Sequence, residues 1–168
     1  ILMERIDIVK PLWWSKPTTT LNDTDLSYLM LYLEDQYTLT SEKKIQKAIS
    51  IVADCNKYHP IRDYLNGLEW DGTERIRCAL PHFLGAEESE FTYECLRLFM
   101  LGAISRVFKP GSKFETMLCL VGGQGAGKST FFRLLAVRDE WFCDDLKRID
   151  DDNVYRKMQG HWIIEMSE

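Results

Sequence analysis

The chain has 168 residues, of which 45% are hydrophobic and 28% are charged, and its formal net charge is −5. This composition is typical of a globular protein, and the length suffices for one sizeable domain or a smaller one with a helical attachment. No apolar run is close to the ~20 residues that span a membrane, and the acidic charge disfavours strong nucleic-acid binding by this segment alone. The five cysteines are scattered without a Cys-x-x-Cys pair, which predicts free thiols in a reducing compartment.

Residues 1–56 predict an extended leading segment followed by two helices. Trp13 and Trp14 lie in the leading segment, and we expect them to pack onto the helices rather than to form a contact surface. The first helix is expected to begin after an N-cap at Asp23 or Thr24. Apolar residues recur at helical spacing at Leu26, Leu29, Met30 and Leu33, and again at Ile45, Ala48, Ile49 and Val52. We interpret the pair as an antiparallel helical unit; a DNA-binding helix-turn-helix is the alternative, which the interleaved acidic residues disfavour.

Residues 57–112 predict a helical lead-in to the rest of the chain. Pro60 occupies a helix-start position, and a second helix over 75–80 is expected to stop at Pro81. Between these helices Trp70 begins a Trp-Asp-Gly turn. We expect its indole to be buried in the core, because large aromatic side chains dominate core packing.

The longest helix is predicted after Ser89, a favoured N-cap whose acidic neighbours suit the positive helix start. Pro110 and Gly111 are expected to end this helix. Its buried positions are predicted at Phe91, Cys95, Leu98, Gly102 and 104–107. The helix leads the chain to the segment that carries the strongest motif.

Residues Gly122–Ser129 match the G-x-x-x-x-G-K-[ST] phosphate-binding motif at every position. The apolar run Met117–Val121 before the motif predicts a buried strand, and Thr130–Ala136 after it predicts the first turns of a helix. A strand, a glycine-rich loop and a helix are the context in which this motif binds polyphosphates. The alternative, a glycine-rich turn that ends by chance in Lys-Ser, is disfavoured by these flanking elements.

Each residue type in the loop suits a polyphosphate. Glycines let the backbone curl around phosphates and point N–H groups inward, and the positive end of the following helix adds to the attraction. Lys128 is predicted to reach the β- and γ-phosphates, and the hydroxyl of Ser129 is predicted to bind Mg²⁺. The predicted nucleotide-binding residues are Gly122, Gly123, Gln124, Gly125, Ala126, Gly127, Lys128, Ser129 and Thr130.

Acidic residues follow the loop in two clusters and in a final apolar strand. A short strand is predicted over 140–143, and the clusters at 144–145 and 150–152 are interpreted as solvated loops and a helix cap rather than a metal site. The final strand carries Glu165 and Glu168. One carboxylate is expected to hold the water shell of Mg²⁺ and a second to orient the attacking water. Both residues qualify for either role, and an edge strand with exposed acids is the alternative.

Several segments, taken in order, resemble the virulence-associated E family. These segments lie at 58–65, 68–72, 83–87, 121–132, 140–142 and 159–165. The family comprises P-loop proteins of phages, prophages and mobile pathogenicity islands, which are similar to superfamily 3 replicative helicases and often accompany a primase. The resemblance covers residues 57–168 and leaves residues 1–56 without a counterpart.

This resemblance implies an α/β fold with a P-loop NTPase core of the superfamily 3 helicase or AAA+ type over 113–168, preceded by helices. It implies an ATPase motor that uses ATP and Mg²⁺, with Lys128 and either Glu165 or Glu168 as catalytic residues. Ser129 and Glu165 are the residues implied at the metal. The expected partners are single-stranded DNA, further copies of the chain in a ring, and a primase. The expected location is the cytoplasm of a bacterium or a phage-infected host, away from the membrane.

The sequence also departs from a complete motor of this type. The chain ends just past the second motif, so a polar sensor strand and a trans-acting arginine are expected further on, and the sheet is expected to have a gap. A GTPase is disfavoured because no Asn-Lys-x-Asp follows the loop. A small-molecule kinase and a non-catalytic nucleotide-binding assembly module remain as alternatives.

Overall fold

The computed structural model describes residues 5–10, 12–146 and 154–166. Between His59 and Pro60 the chain divides into two compact units, an N-terminal and a C-terminal one. The described residues are mostly helical and form one small parallel sheet, so the α/β class predicted from the sequence is confirmed. The predicted assignment of domains to 1–56, 57–112 and 113–168 stays a prediction.

The N-terminal unit contains helices α1, Asp23–Tyr37, and α2, Glu42–Cys55. Asn22 caps α1 because its side chain accepts a hydrogen bond from the backbone N–H of Asp25 at 3.0 Å, while the Asp25 carboxylate accepts one from the Asn22 N–H at 3.0 Å. The N-cap is therefore Asn22 and not Asp23 or Thr24 as predicted. Asn22 is the residue that places the acidic side chain of Asp25 at the third helical position, as the capping box needs.

The buried carboxylate of Asp25 holds the leading segment against α1. Trp14 Nε1 donates a hydrogen bond to Asp25 Oδ1 at 2.8 Å, and the ammonium of Lys16 forms an ion pair with the other oxygen. The Trp14 ring stacks on Tyr28, with 5.3 Å between ring centroids. The prediction that the tryptophan pair packs onto the helices is confirmed for Trp14, and the more exposed Trp13 meets the edges of Trp14 and Tyr28.

The apolar face predicted for α2 is covered only at its start. Ile45 is buried and Ile49 is half-buried, but Ala48 and Val52 are exposed. The predicted face of α1 is half-buried at all four of its positions, Leu26, Leu29, Met30 and Leu33. The helical periodicity was therefore correct for both helices, but the described part of this unit supplies no surface that covers the second half of α2.

The C-terminal unit builds a two-stranded sheet against helices. Its elements are α3, Pro60–Asn66; α4, Ile76–Leu84; α5, Glu90–Phe108; α6, Lys128–Leu135; a 3₁₀ turn, Asp139–Trp141; β1, Phe142–Leu146; α7, Val154–Met158; and β2, Ile163–Met166. Strands β1 and β2 are parallel, with Phe142 opposite Ile163 and a bulge between Cys143 and Leu146. The start of α3 at Pro60 and the short strand predicted over 140–143 are confirmed in position to within a few residues.

Two apolar clusters form the core of this unit. The first contains Ile61, Val107, Ala136, Trp141, Phe142 and Ile163, so it joins α3, α5, the 3₁₀ turn and both strands. The second contains Leu80, Leu96 and Phe131, from α4, α5 and α6. The side chains of Phe99 and Phe132 pack against both clusters and against each other, at 5.7 Å between ring centroids. The sheet and the helix after the glycine loop are therefore parts of one packed structure.

Helices α4 and α5 show where local signals succeed and fail. Ser89 caps α5 as predicted, and its hydroxyl accepts a hydrogen bond from the Thr92 N–H at 3.2 Å. Helix α4, in contrast, continues through Pro81 to Leu84 and ends at Gly85, whose φ of 64° is left-handed. The predicted stop at Pro81 was wrong, because burial of Leu80 between α4 and its neighbours offsets the one backbone hydrogen bond that a proline removes.

The run Met117–Val121 does not form the buried strand predicted for it. Leu118 and Leu120 face the second apolar cluster, but Met117 is exposed and Val121 is 98% exposed. The described residues form a single sheet, which pairs only β1 with β2, so this run has no strand beside it. Three residues before this run, the ring of Phe114 packs directly on Gly102. A Cβ built at position 102 would lie only 2.4 Å from Phe114 Cζ.

Trp70 is not part of the core, contrary to the prediction. Its side chain is 79% exposed. The turn around it is held instead by Asp71, which accepts a hydrogen bond from the Thr73 N–H at 3.0 Å and forms a two-fold ion pair with Arg75. The Arg75 guanidinium holds the pKa of the Asp71 carboxyl below its usual range. Because polar contacts close the turn locally, it does not need an apolar anchor.

Candidate phosphate-binding site

The glycine loop 122–127 is an exposed backbone turn that ends where α6 begins. Gly125 and Gly127 have φ values of 79° and 81°, in the left-handed region where a residue with a Cβ is strained. Gly127 is the N-cap of α6, and its carbonyl accepts the first helical hydrogen bond from the Phe131 N–H at 2.8 Å. The positive end of the α6 dipole therefore lies directly at the loop.

Lys128 is folded back across the loop. Its Nζ donates hydrogen bonds to the carbonyl oxygens of Gly122 at 2.7 Å and Gly123 at 2.8 Å. The sequence predicted a role for this lysine but not these two acceptors. The contacts hold the ammonium at the loop, next to the N-terminus of α6, where the helix dipole favours negative charge.

Ser129 and Glu165, which are 36 residues apart in the chain, meet at this site. The Ser129 hydroxyl donates a hydrogen bond to Glu165 Oε1 at 2.6 Å. The second oxygen of Glu165 is buried and has no hydrogen-bond partner among the described residues. A hydroxyl and a carboxylate side by side, with one oxygen unsatisfied, are ligand types that Mg²⁺ prefers. The residues that the sequence assigned to the metal are thus adjacent in the fold.

The position of Glu165 is set by the packing of β2. Trp162, just before the strand, donates from its backbone N–H to Trp141 O at 2.8 Å and from its indole Nε1 to Ala103 O at 3.1 Å. Ile163 is buried in the first apolar cluster. These contacts join β2 to the 3₁₀ turn and to α5, and Glu165 on this strand meets Ser129 in the first turn of α6.

The family profile of the Virulence-associated protein E-like domain matches residues 65–168, which is more than half of the chain. The chain belongs to this family. The resemblance predicted from the sequence is confirmed, with a start eight residues later than position 57. No curated protein matches the chain. Membership in this family is consistent with a protein of a phage or another mobile genetic element.

The matched region, called the VapE-like domain below, includes the loop, α6 and both strands, so every predicted site residue falls within it. Glu168 and the acidic cluster 150–152 lie outside the residues that the structure describes. Ser129 therefore contacts one of the two candidate carboxylates, and the other candidate stays a prediction. Gln124 and Thr130 are exposed at the loop.

The first acidic cluster is paired with basic side chains. Arg133 of α6 forms an ion pair with Asp144 at 2.8 Å, and Lys157 of α7 lies 3.5 Å from Asp145. Over the described ranges, no group of histidines, cysteines and acidic residues is arranged to hold a metal ion by itself. Asp144 and Asp145 are exposed, but they lie within β1 and not in the loop predicted for them, because the segment Phe142–Leu146 pairs with β2. None of the described helices is long and apolar enough to cross a bilayer.

Leu84, at the end of α4, is a neighbour of the loop that the sequence did not predict. A side-chain carbon built on Gly127 would lie 4.0 Å from Leu84 Cδ2. The ring of Phe83 lies 6.4 Å from that of Phe131 in α6, between centroids. The turn after α4 therefore borders the loop, and no local sequence signal indicates this because the contact joins residues more than forty positions apart.

Proposed function

We propose that the VapE-like domain binds Mg-ATP at residues 122–130 and hydrolyses it, as the motor of a DNA helicase of the primase–helicase type. The observation that supports this most is the 2.6 Å hydrogen bond between Ser129 and Glu165, which brings the loop and the acidic strand together. A chance glycine turn has no reason to meet a carboxylate at the end of a parallel strand. The family membership and the resemblance to superfamily 3 helicases support the same proposal.

The loop geometry supports the proposed phosphate binding. The backbone N–H groups of the turn and the N-terminus of α6 attract the phosphate oxygens. Lys128 exchanges its hydrogen bonds with Gly122 and Gly123 for contacts with the β- and γ-phosphates. This exchange costs little, because the ammonium keeps hydrogen-bond acceptors in both states and gains acceptors that carry charge.

The carboxylates are proposed to divide the remaining work. Glu165, held against Ser129, is the better candidate for the metal side of the site, and bound Mg²⁺ would neutralise charge on the phosphates during transfer. Glu168 is then the candidate general base: it accepts a proton from the water molecule whose oxygen attacks the γ-phosphorus. The bond from this phosphorus to the β-phosphate oxygen breaks, and ADP and inorganic phosphate leave.

The partners proposed for this motor come from the resemblance alone. They are single-stranded DNA, further copies of the chain in a ring, and a primase. The chain carries a net charge of −5, so we expect DNA to bind a local basic surface of the assembly rather than the chain as a whole. Stimulation of ATP turnover by DNA is the property that separates such a motor from a small-molecule kinase.

The test is steady-state phosphate release from Mg-ATP by the full-length protein, with and without single-stranded DNA, for the wild type and two lysine variants. We expect DNA-stimulated turnover that Lys128→Ala lowers by about 10²-fold or more, since it removes a preorganised cation from the transferred phosphate. Lys113→Ala is the matched control, because Lys113 precedes the loop and is exposed, and its ammonium forms a surface ion pair with Glu115 at 2.7 Å. We expect this control to behave as the wild type.

Three results would contradict the proposal. Turnover that survives Lys128→Ala removes the loop from the reaction. Phosphate transfer from ATP to a small acceptor, without any effect of DNA, favours the kinase. Tight binding of Mg-ATP with no turnover under any of these conditions favours a nucleotide-binding assembly module.

A further inference from the structure

A cavity of about 640 Å³ adjoins the glycine loop. It lies between α4, α5 and the segment 114–122, and Gly122, Ala126 and Lys128 form part of its wall. Sites for small molecules in proteins are typically of ~300–1,000 Å³, mostly apolar, with a few polar groups. The proposed phosphate site therefore opens onto a cavity of the size that a small ligand needs.

The walls away from the loop are apolar. The main contributors are Leu80, Leu84, Leu98, Phe99, Leu118 and Leu120. Thr92 and Thr116 add hydroxyl groups, and that of Thr92 already donates a hydrogen bond to Glu87 O at 2.8 Å. The lining thus favours a flat, largely apolar group over a second charged one.

Two residues of α5 are exposed at this cavity although their helical positions predicted burial. Phe91 is 78% exposed and Leu98 is 45% exposed, and both line the cavity. Exposed large apolar side chains that line a concave site mark surfaces that gain free energy when a ligand covers them. The Phe91 ring also offers a face on which a planar ligand can stack.

We propose that this cavity receives the nucleoside of the nucleotide whose phosphates bind the loop, an inference that rests on the proposed function. The cavity and the loop share Lys128, and Leu84 lines the cavity while lying beside Gly127. One ligand can therefore place its phosphates at the N-terminus of α6 and its base between α4 and α5. Because the lining is mostly apolar, it holds the base by contact and stacking, and it discriminates weakly between adenine and guanine.

The first experiment separates the nucleoside from the phosphates. Binding of Mg-ATP, Mg-GTP and Mg-tripolyphosphate is measured by titration calorimetry on the wild type, Leu98→Trp and Leu101→Trp. Leu101 is the matched control: it lies on the same helix, is 49% exposed and is not part of the cavity lining. We expect the wild type to bind both nucleotides at least tenfold more tightly than tripolyphosphate. Leu98→Trp should remove most of this advantage and leave tripolyphosphate binding unchanged, and Leu101→Trp should change neither.

Phe91→Ala provides a second variant in case the larger side chain at position 98 disturbs folding, which thermal melting detects. Because Phe91 is mostly exposed, its truncation leaves the core intact. We expect a several-fold loss of affinity for Mg-ATP and none for Mg-tripolyphosphate. Equal losses for both ligands would indicate a general disturbance of the site and overturn the assignment of this residue to the nucleoside.

A second experiment uses the cysteines as reporters. Cys95 and Cys119 line the cavity, whereas the exposed Cys55 and Cys78 lie outside it. We expect Mg-ATP to slow alkylation of Cys95 and Cys119 by N-ethylmaleimide, relative to Mg-tripolyphosphate, and to leave Cys55 and Cys78 unaffected. Mass spectrometry of each cysteine reads the result.

The outcomes distinguish this inference from the proposed function. If ATP and tripolyphosphate bind the wild type equally well, or a folded Leu98→Trp binds ATP normally, the cavity assignment is wrong and the loop remains a phosphate site. If neither ligand binds, the proposed function fails and the inference fails with it. Protection of all four cysteines alike would indicate a global change and would also overturn the assignment.

Discussion

Trp70 and Trp141 show how differently two residues of one type contribute to this molecule. Trp70 is 79% exposed in a polar turn, whereas Trp141 is 3% exposed in the first apolar cluster of the C-terminal unit. The Trp141 ring meets Tyr64 at 5.6 Å and Trp162 at 6.3 Å, between centroids. The two side chains have equal apolar surface in the unfolded chain, so their burial decides their effect on stability.

We expect Trp141→Ala to lower the free energy of unfolding by about 3–5 kcal/mol, the usual cost of removing a buried aromatic side chain. Trp70→Ala is the matched control, and we expect a change of about 0.5 kcal/mol or less, as for a surface substitution. Urea unfolding followed by circular dichroism measures both. A large loss of stability in Trp70→Ala would show that the turn is anchored by its indole after all.

The loop residues differ in whether their hydrogen-bond acceptors are backbone or side-chain atoms. Lys128 donates to two backbone carbonyls, which any residue supplies, but Ser129 contacts the side chain of Glu165. The effects of substitutions at Ser129 and Glu165 should therefore not be additive, whereas the effect of a substitution at Lys128 should add to either of them. The order of the loop residues in the sequence indicated the lysine and the serine, but only the fold selected the carboxylate that meets the serine.

At the scale of elements, the leading segment of the N-terminal unit is tied to α1 through one buried carboxylate. The hydrogen bond from Lys16 and that from the Trp14 indole lower the pKa of Asp25, against the opposing effect of burial. A carboxyl whose pKa is lower in the folded state stabilises the fold fully above its unfolded pKa of ~3.9. This stabilisation is lost as the pH falls through the folded value.

The Asp25 contacts predict how the melting temperature depends on acid. In the wild type it should stay level from neutral pH down to about pH 4 and fall below that, because protonation of Asp25 breaks the ion pair with Lys16. Asp25→Asn should melt at a lower temperature at neutral pH and show a smaller further loss in acid. Asp23→Asn, an exposed acid in the same turn, is the control and should follow the wild-type profile. Identical acid profiles for Asp25→Asn and the wild type would contradict the role given to this carboxylate.

Two other elements show the balance between local and distant contacts. Helix α4 continues past Pro81 because Leu80 is buried against α5, and Met117–Val121 fails to become a strand because it lacks a paired neighbour among the described residues. A proline and an apolar run are strong local signals, yet each was outweighed by the presence or absence of a packing partner.

At the scale of the whole molecule, the two units differ in what they carry. The VapE-like match, the glycine loop and both strands lie in the C-terminal unit, and so do the two apolar clusters. The described residues that line the cavity and those of the Ser129–Glu165 contact belong to the C-terminal unit. We therefore expect nucleotide binding to depend mainly on the C-terminal unit.

This division predicts that residues 60–168 bind Mg-ATP without the N-terminal unit. We expect an affinity within about twofold of that of the full chain, because the residues proposed to carry binding all lie in the part of the chain that is kept. Titration calorimetry compares the two chains, with Lys128→Ala in each as the control for binding at the loop. A truncated chain that is folded but has lost its ATP affinity would show that the N-terminal unit completes the site.

The sequence by itself determined the features that depend on near neighbours along the chain. The glycine loop, the Ser89 cap and the start of α3 at Pro60 each rest on backbone dihedral angles or hydrogen bonds within a few residues, so residue type alone predicts them. The family resemblance, carried by motifs in a constant order, belongs with these features.

The tertiary structure decided everything that depends on burial between distant segments. It placed Glu165 against Ser129, left Trp70 and Val121 in solvent, and opened a cavity beside Lys128. Apolar residues have the same sequence pattern whether or not a partner covers them, because hydrophobic burial has no direction and acts between segments far apart in the chain. Only the packed fold shows which apolar residues are covered by a distant segment and which stay exposed.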